Sequence, residues 1–209
     1  MVEKHPEKEM KLPREFYERN DVITISRELL GKYLFTNIDG AVTGGYIVET
    51  EAYNGIIDRA SHSFGNRLTP RTKTMYMQGG IAYVYLCYGI HEMFNVVTSV
   101  EGQPHAILIR AIQPTDGVDI MQFRRKMGAI KPTITMGPGS VARALGISRK
   151  INAISLQSDS LWIEDRGMII PPENIAAVPR VGVAYAKEDA LLPYRFYVKG
   201  NPYVSKPNK

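Results

Sequence analysis

Tyr46-Ile47-Val48-Glu49-Thr50-Glu51-Ala52-Tyr53 has the β-branched and aromatic make-up of a strand, interrupted by two carboxylates. Upstream, Tyr33-Leu34-Phe35-Thr36 is a second such run, and Asp39-Gly40 between the two is a strong hairpin signal. The two runs are therefore read as an antiparallel pair. Side chains alternate along a strand, which puts Glu49, Glu51 and Tyr53 on one face. Two carboxylates on one face of an otherwise apolar strand are costly to bury. Either that face is wet and the glutamates are ordinary surface groups, or one of them is a general base in a cleft with an aromatic wall.

On either side of this hairpin the pattern continues as a mixture of helices and strands. Val22, Ile25, Leu29 and Leu30 fall on one helical face, and Gly31 is a stop signal. Asn54 to Arg71 is polar and reads as a loop. Ala82 to Cys87 and Met93 to Ser99 read as strands of a second hairpin, joined by the short link Tyr88-Gly89-Ile90-His91-Glu92. His105 to Ile112 is a further strand, with Pro114 after it. Asp116 to Met127 and Ser140 to Leu145 read as helices, the latter following Gly137-Pro138-Gly139. Leu161 to Ile163, Val181 to Tyr185 and Arg195 to Val198 complete the expected strands. No repeat, low-complexity tract or linker-like break divides the chain. The expectation is one α+β domain with a largely antiparallel sheet over residues 12–205, preceded by a polar, flexible segment over 1–11.

The chain of 209 residues has a single cysteine, Cys87, which excludes a disulfide scaffold or a zinc site of several thiolates. The formal net charge of +5 suits a polyanion-binding protein, and equally a basic soluble enzyme. The best apolar window, Ile81 to Leu86, is strand-sized, so no membrane span is expected. The charged N-terminus has no apolar core behind it and does not read as a secretory signal. A cytoplasmic location is expected, or a nuclear one if the source is eukaryotic.

Outside the Glu51 strand, a few residues could carry chemistry. His62 is a lone loop histidine, of interest only if it meets Glu51 in space. Tyr83 and Tyr85 share one strand face, as half-buried tyrosines commonly do. Tyr88 sits at a hairpin tip, where there is no core to fill, and could act as a wedge against stacked bases. Arg67, Arg71 and Lys73 form one basic cluster and Arg124, Arg125 and Lys126 another. Each could contact phosphates, or simply be solvated. There is no Walker motif, no dinucleotide fingerprint and no nucleophile elbow. The histidines at positions 5, 62, 91 and 105 lack metal-ligand spacing, so neither metal nor cofactor is expected.

Taken in order, Val48-Glu49-Thr50-Glu51-Ala52-Tyr53-Asn54-Gly55, Ala60-Ser61-His62-Ser63, Thr69-Pro70-Arg71, Tyr83-Val84-Tyr85 with Tyr88-Gly89, Asn95, Leu108-Ile109-Arg110-Ala111, Gly137-Pro138 and Arg180-Val181-Gly182-Val183 closely resemble the alkyladenine (3-methyladenine) DNA glycosylase family. The resemblance runs from about Leu12 to about Ser205. It implies a curved antiparallel sheet with surrounding helices and a protruding hairpin that inserts into DNA. By the same resemblance Glu51 is the general base that activates the attacking water, and Arg110 helps to hold that water. Tyr53, His62 and Tyr85 fall on the pocket for the flipped base, Asn95 on its floor, and Tyr88 on the side chain that fills the vacated stack. A main-chain carbonyl near Val181 or Val183 is implied as a further contact of the water. Glu92, beside the inserting tyrosine, departs from the pattern.

The resemblance further implies a monomer acting on double-stranded DNA that contains damaged purines. The expected reaction is base excision without strand cleavage, since no lysine falls on a nucleophile position. Extrusion of a base costs a few kcal/mol, part of which Tyr88 would offset. A cationic alkylated purine leaves readily. A neutral base such as hypoxanthine needs help, for which His62 is the nearest candidate. Two other classes remain open: a nucleic-acid-binding module without catalysis, and an N-glycosidase of free nucleosides.

Overall fold

The structure, a computed structural model, describes residues 10–206. Most of the expected flexible segment therefore lies outside the described residues. Lys11, its last member, bridges to Glu164, and the Met10 carbonyl accepts the Asp165 N–H at 2.7 Å.

Among the described residues the strands are β1 (Tyr33–Ile38), β2 (Ala41–Tyr53), β3 (Ala82–Cys87), β4 (His91–Thr98), β5 (His105–Asp116), β6 (Leu161–Glu164), β7 (Ile175–Val178) and β8 (Arg195–Val198). The helices are α1 (Arg14–Glu18), α2 (Val22–Glu28), α3 (Val118–Arg125) and α4 (Pro138–Leu145). All pairings are antiparallel, in the order β3-β4-β5-β2-β1-β6, with β8 lying between β2 and β7. The expected single α+β domain with a curled antiparallel sheet is what forms.

β2 is the centre of the sheet. One of its edges pairs with β5. The other is shared, residues 41–46 with β1 and 49–51 with β8. The β1–β2 turn is the one the sequence announces: Asp39 and Gly40 both have positive φ, as a tight two-residue hairpin requires. Helix α2 is capped by the Asp21 carboxylate, which accepts from the N–H groups of Ile23 and Thr24. Its Val22 and Ile25, with Leu29 just past its end, are buried in the main core. Helix α4 begins with Pro138 at its first turn and buries Val141, Ala142, Ala144 and Leu145 in that same core.

Three expectations need correction. The link of the second hairpin is shorter than Tyr88 to Glu92, because His91 and Glu92 already pair with Cys87 and Leu86 as the start of β4. β5 does not stop at Ile112 but runs on past Pro114. Pro114 faces Gly45 beside an irregularity in the β2–β5 register, where a missing N–H is tolerated. Val181 to Tyr185 is not a strand. Gly182 has a positive φ of 75°, and a run of tight turns follows from Ala184 to Leu191. The strand in this region is β7, just upstream and ended by Pro179.

Candidate active site

β2 carries Glu51 into the base of a cleft of about 780 Å³. The side chain is fully buried, so its two oxygens need partners. Oε1 accepts the backbone N–H of Val181 at 2.7 Å and lies 3.3 Å from Arg110 Nη1. Oε2 accepts the Tyr53 hydroxyl at 2.9 Å. The Val181 segment fails to be a strand partly for this reason, because that N–H serves a carboxylate.

Arg110 reaches the site through an irregular register. Glu49 faces Ala111 and Thr50 faces Ile109, which leaves Arg110 as an extra residue on β5. Such a bulge re-aims a side chain out of simple alternation. Arg110 Nε donates to Glu49 Oε1 at 2.7 Å, so both sheet carboxylates share one guanidinium. The expectation of Glu49 and Glu51 on one side of the strand fits this common partner, but the face is buried rather than wet.

The aromatic recess adjoins Glu51. The rings of His62 and Tyr85 meet edge to face at 4.7 Å, and those of Tyr83 and Tyr85 are tilted at 5.4 Å. His62 Nδ1 is 2.9 Å from the Tyr83 hydroxyl, and Nε2 is 3.3 Å from Arg71 Nη2. A guanidinium can only donate, so Nε2 accepts and the Nδ1–H donates to Tyr83. Burial, aided by the Arg71 charge, lowers the His62 pKa to about 4, and the ring is neutral at pH 7. Burial, then the Glu51 charge, holds Tyr53 well above the usual phenol range, so it remains a donor.

Of the residues expected at the site, Glu51, Tyr53, His62, Tyr85, Tyr88 and Arg110 all line the cleft. Asn95 does not. It lines a smaller cavity of about 40 Å³ behind the recess, together with Tyr53, His62 and Tyr85. Its Nδ2 donates to the Tyr83 carbonyl at 3.1 Å and lies 3.4 Å from the Met93 carbonyl, which pins the side chain across this cavity. Tyr88 is 90% exposed at the tip of the β3–β4 hairpin. Glu92 at the foot of the tip is paired with Arg149 at 3.2 Å, which offsets its charge.

The sequence reading missed the parts that hold this site in place. Arg180 is buried and makes a two-pronged pair with Asp58, one contact at 2.8 Å. Its guanidinium also lies 4.9 Å from the Tyr53 ring centroid. The motif Arg180-Val181-Gly182-Val183 was visible, but nothing in the sequence pointed to Asp58 as its partner. Tyr185, whose hydroxyl donates to the Ala60 carbonyl at 3.0 Å, lines both cavities and was also missed. Of the second basic cluster, Arg124 is turned inward to Thr43 and the Ala144 carbonyl and is not free for phosphates. Among the described residues, no group of three or more His, Cys, Asp or Glu side chains could hold a metal ion, and no helix is long and apolar enough to cross a membrane.

A buried, amide-tethered carboxylate opening beside a recess of aromatic rings is equipped to direct water at a carbon whose leaving group is a flat heterocycle. That is the chemistry of an N-glycosyl hydrolase. The sequence model of the methylpurine-DNA glycosylase family matches residues 15–202, and the chain belongs to this family of DNA glycosylases. Curated relatives agree along almost the whole length. A Bacillus cereus (strain G9842) protein, provisionally named a 3-methyladenine DNA glycosylase, is 44% identical over 94% of this chain and 100% of its own. A Bacillus mycoides (strain KBAB4) protein of the same provisional name is 43% identical with the same coverage. One from Chlamydia abortus (strain DSM 27085 / S26/3), also so named, is 45% identical over 88% of this chain and 96% of its own.

Proposed function

We propose that the protein excises alkylated or deaminated purines, of the 3-methyladenine, 7-methylguanine, hypoxanthine and ethenoadenine class, from double-stranded DNA. The reading is carried by one observation: Glu51 is buried and tethered, yet lines a cleft that opens directly onto the Tyr53–His62–Tyr85 recess. The exposed ring of Tyr88 enters the base stack as the damaged nucleotide turns out of it. Tyr53 and Tyr85 receive the extruded base against their π-faces, which favours electron-poor alkylated purines.

Glu51 takes a proton from water as the water oxygen bonds to the anomeric carbon. The N-glycosidic bond breaks and its electron pair leaves with the base: a cationic alkylated purine leaves as the neutral base, and hypoxanthine leaves as an anion that takes its proton from solvent. The Glu51 charge stabilises the positive charge that develops on the sugar. The products are a free base and an abasic site. No amine attacks the sugar, so the enzyme is monofunctional and leaves the strand uncut. Both ring nitrogens of His62 are engaged, by Tyr83 and Arg71, and burial keeps the ring neutral near pH 7, so it meets the base as a ring contact and not as a general acid for hypoxanthine. No cofactor takes part, and one copy of the chain suffices.

The test compares base release from a duplex carrying hypoxanthine or a methylated purine with release from the free nucleoside. Fast release from duplex and slow release from nucleoside is expected. Release from the nucleoside alone would make the protein a nucleoside N-glycosidase. Tight duplex binding with no release would make it a binding module.

A further inference from the structure

Glu49 lies two residues before Glu51 on β2 and is equally buried. The excision reaction described above gives it no role, yet it has more polar partners than Glu51. Its Oε1 accepts from Arg110 Nε, Arg195 Nε and the Ser205 hydroxyl, each at 2.7 Å. Its Oε2 accepts the Ser205 backbone N–H at 2.6 Å. Ser205 closes the arrangement twice more. Its hydroxyl accepts from Arg110 Nη2 at 3.0 Å and its carbonyl accepts from Arg195 Nη2 at 2.7 Å.

Arg110 is therefore held at Nε and Nη2 by Glu49 and Ser205. Only Nη1 is left for Glu51, and at the longer distance of 3.3 Å. A guanidinium facing a single carboxylate prefers a two-pronged, charge-assisted pair. Closed onto Glu51 in that way, Arg110 would hold both carboxylate oxygens as acceptors and make the group a weaker base. Glu49 competes for the same fork and wins, because Arg195 and Ser205 fix it from the other side. The charges alternate from Glu51 to Arg110 to Glu49 to Arg195, so the buried set is balanced as a whole.

We propose that Glu49, fixed by Arg195 and Ser205, is a positioning residue that holds Arg110 back from Glu51 and so keeps Glu51 available to take a proton from water. The proposal rests on the reading of Glu51 as the base. It also makes the chain around Ser205, which lines the cleft, part of the active site.

Other groups that face Glu51 do not obscure the effect. Tyr53 on β2, Tyr85 on β3 and Tyr185 in the turns after Val183 are all raised above the usual phenol range, each chiefly by burial. Arg180, and Arg195 opposite Glu51 on β8, are permanently charged. His62 titrates at about 4, and its contribution is common to all the variants compared.

The experiment measures single-turnover release of hypoxanthine from duplex across the whole acid limb of the pH–rate profile and up to its plateau, alongside duplex affinity, for the wild type, Glu51→Gln, Glu49→Gln and Ser205→Ala. Glu49→Gln is expected to lower the rate by about 10²-fold, the scale of a small misplacement of reacting groups. It should also move the acid limb of the pH–rate profile to lower pH while leaving duplex affinity unchanged. Ser205→Ala keeps the backbone N–H to Glu49 and loses only the hydroxyl bridge, so it should shift the limb the same way by a smaller amount. If Glu49→Gln does not fold, Ser205→Ala decides. A rate loss without a shifted limb, or in step with lost affinity, means Glu49 is structural and overturns the proposal. An unchanged rate and profile overturn it as well. A fully active Glu51→Gln would instead remove the underlying reading of Glu51.

Discussion

The backbone N–H of Val181 donates to Glu51 Oε1 at 2.7 Å, joining a loop near the end of the chain to its central strand. This contact fixes one carboxylate oxygen, while Tyr53 orients the other. Glu51→Gln tests what the charge does. The carboxamide still offers Val181 an acceptor, and the Tyr53 hydroxyl can accept from its NH2 group, so the fold should survive. Base release from damaged duplex should fall by about 10²–10⁴-fold, the usual contribution of a general base, with duplex binding retained. Single-turnover rates close to wild type would show that Glu51 is not the base.

The Asp58–Arg180 pair is what sets the Val181 loop in place. Both groups are buried, and Asp58 also accepts from the backbone of Asn54 and Ala60. Asp58→Ala would leave Arg180 as an unpaired buried cation, at a cost of about 3–5 kcal/mol. Urea denaturation should show a lower midpoint at an unchanged slope. A loss under about 1 kcal/mol would put the pair in the class of exposed ion pairs.

His62 makes stability depend on pH in a predictable direction. Its folded pKa, about 4, lies below the unfolded value of about 6.5, so the unfolded chain binds the extra proton between these limits. Stability is therefore unaffected above about pH 6.5 and is lost as pH falls toward 4. Burial shifts His105 in the same direction, so each histidine supplies a part. Thermal melts of His62→Gln across this window should show a shallower loss than wild type. Parallel curves for the two proteins would mean that His62 is not held neutral in the fold.

How much of this was legible in the sequence depends on which groups make the contacts. The strand of Glu51 and the Asp39-Gly40 turn have residue-type signatures, and each stands where the pattern put it, whereas the Tyr88-Gly89 turn is unusual in residue type and its link is shorter than expected. The aim of Arg110 does not, because it depends on a register irregularity that strict alternation cannot express. Val181 to Tyr185 has strand composition, and only the backbone of Gly182 and the use made of the Val181 N–H show why no strand forms. Asp58 and Arg180 are 122 residues apart, and no local spacing links them. Ser205 meets Glu49 partly through its main chain, which any residue type would offer.

Asn95 sits on β4 between Tyr83 of β3 and Leu108 of β5. With its NH2 group committed to the Tyr83 carbonyl, it limits the depth of the recess. A guanine amino group would have to compete for that space. Asn95→Ser should therefore raise the rate on 7-methylguanine relative to hypoxanthine by roughly 10-fold or more, within the range of about 10–200-fold for one group of misfit in a pocket. The ratio is measured on one duplex sequence carrying either lesion, and an unchanged ratio makes Asn95 a structural residue.

Tyr88 occupies a turn that its residue type does not favour. Its φ is 50° and that of Gly89 is 74°, with the Ile90 N–H donating to the Cys87 carbonyl at 3.1 Å. Asn or Gly normally takes the first of these positions, because a bulky side chain is strained there. The hairpin accepts that strain and presents a ring to solvent, which serves no core. Tyr88→Asn should relieve the strain and keep the hairpin, so any loss of activity belongs to the ring. A stacking contact of about 1–3 kcal/mol should disappear from the extrusion equilibrium, because Glu51 is untouched. The rate on a well-paired duplex should fall by about 5–150-fold, that free energy converted. On a mismatched or single-stranded substrate with the same lesion, where extrusion is already easy, the rate should change little. Equal losses on both substrates would mean that Tyr88 supports the pocket rather than entering the stack.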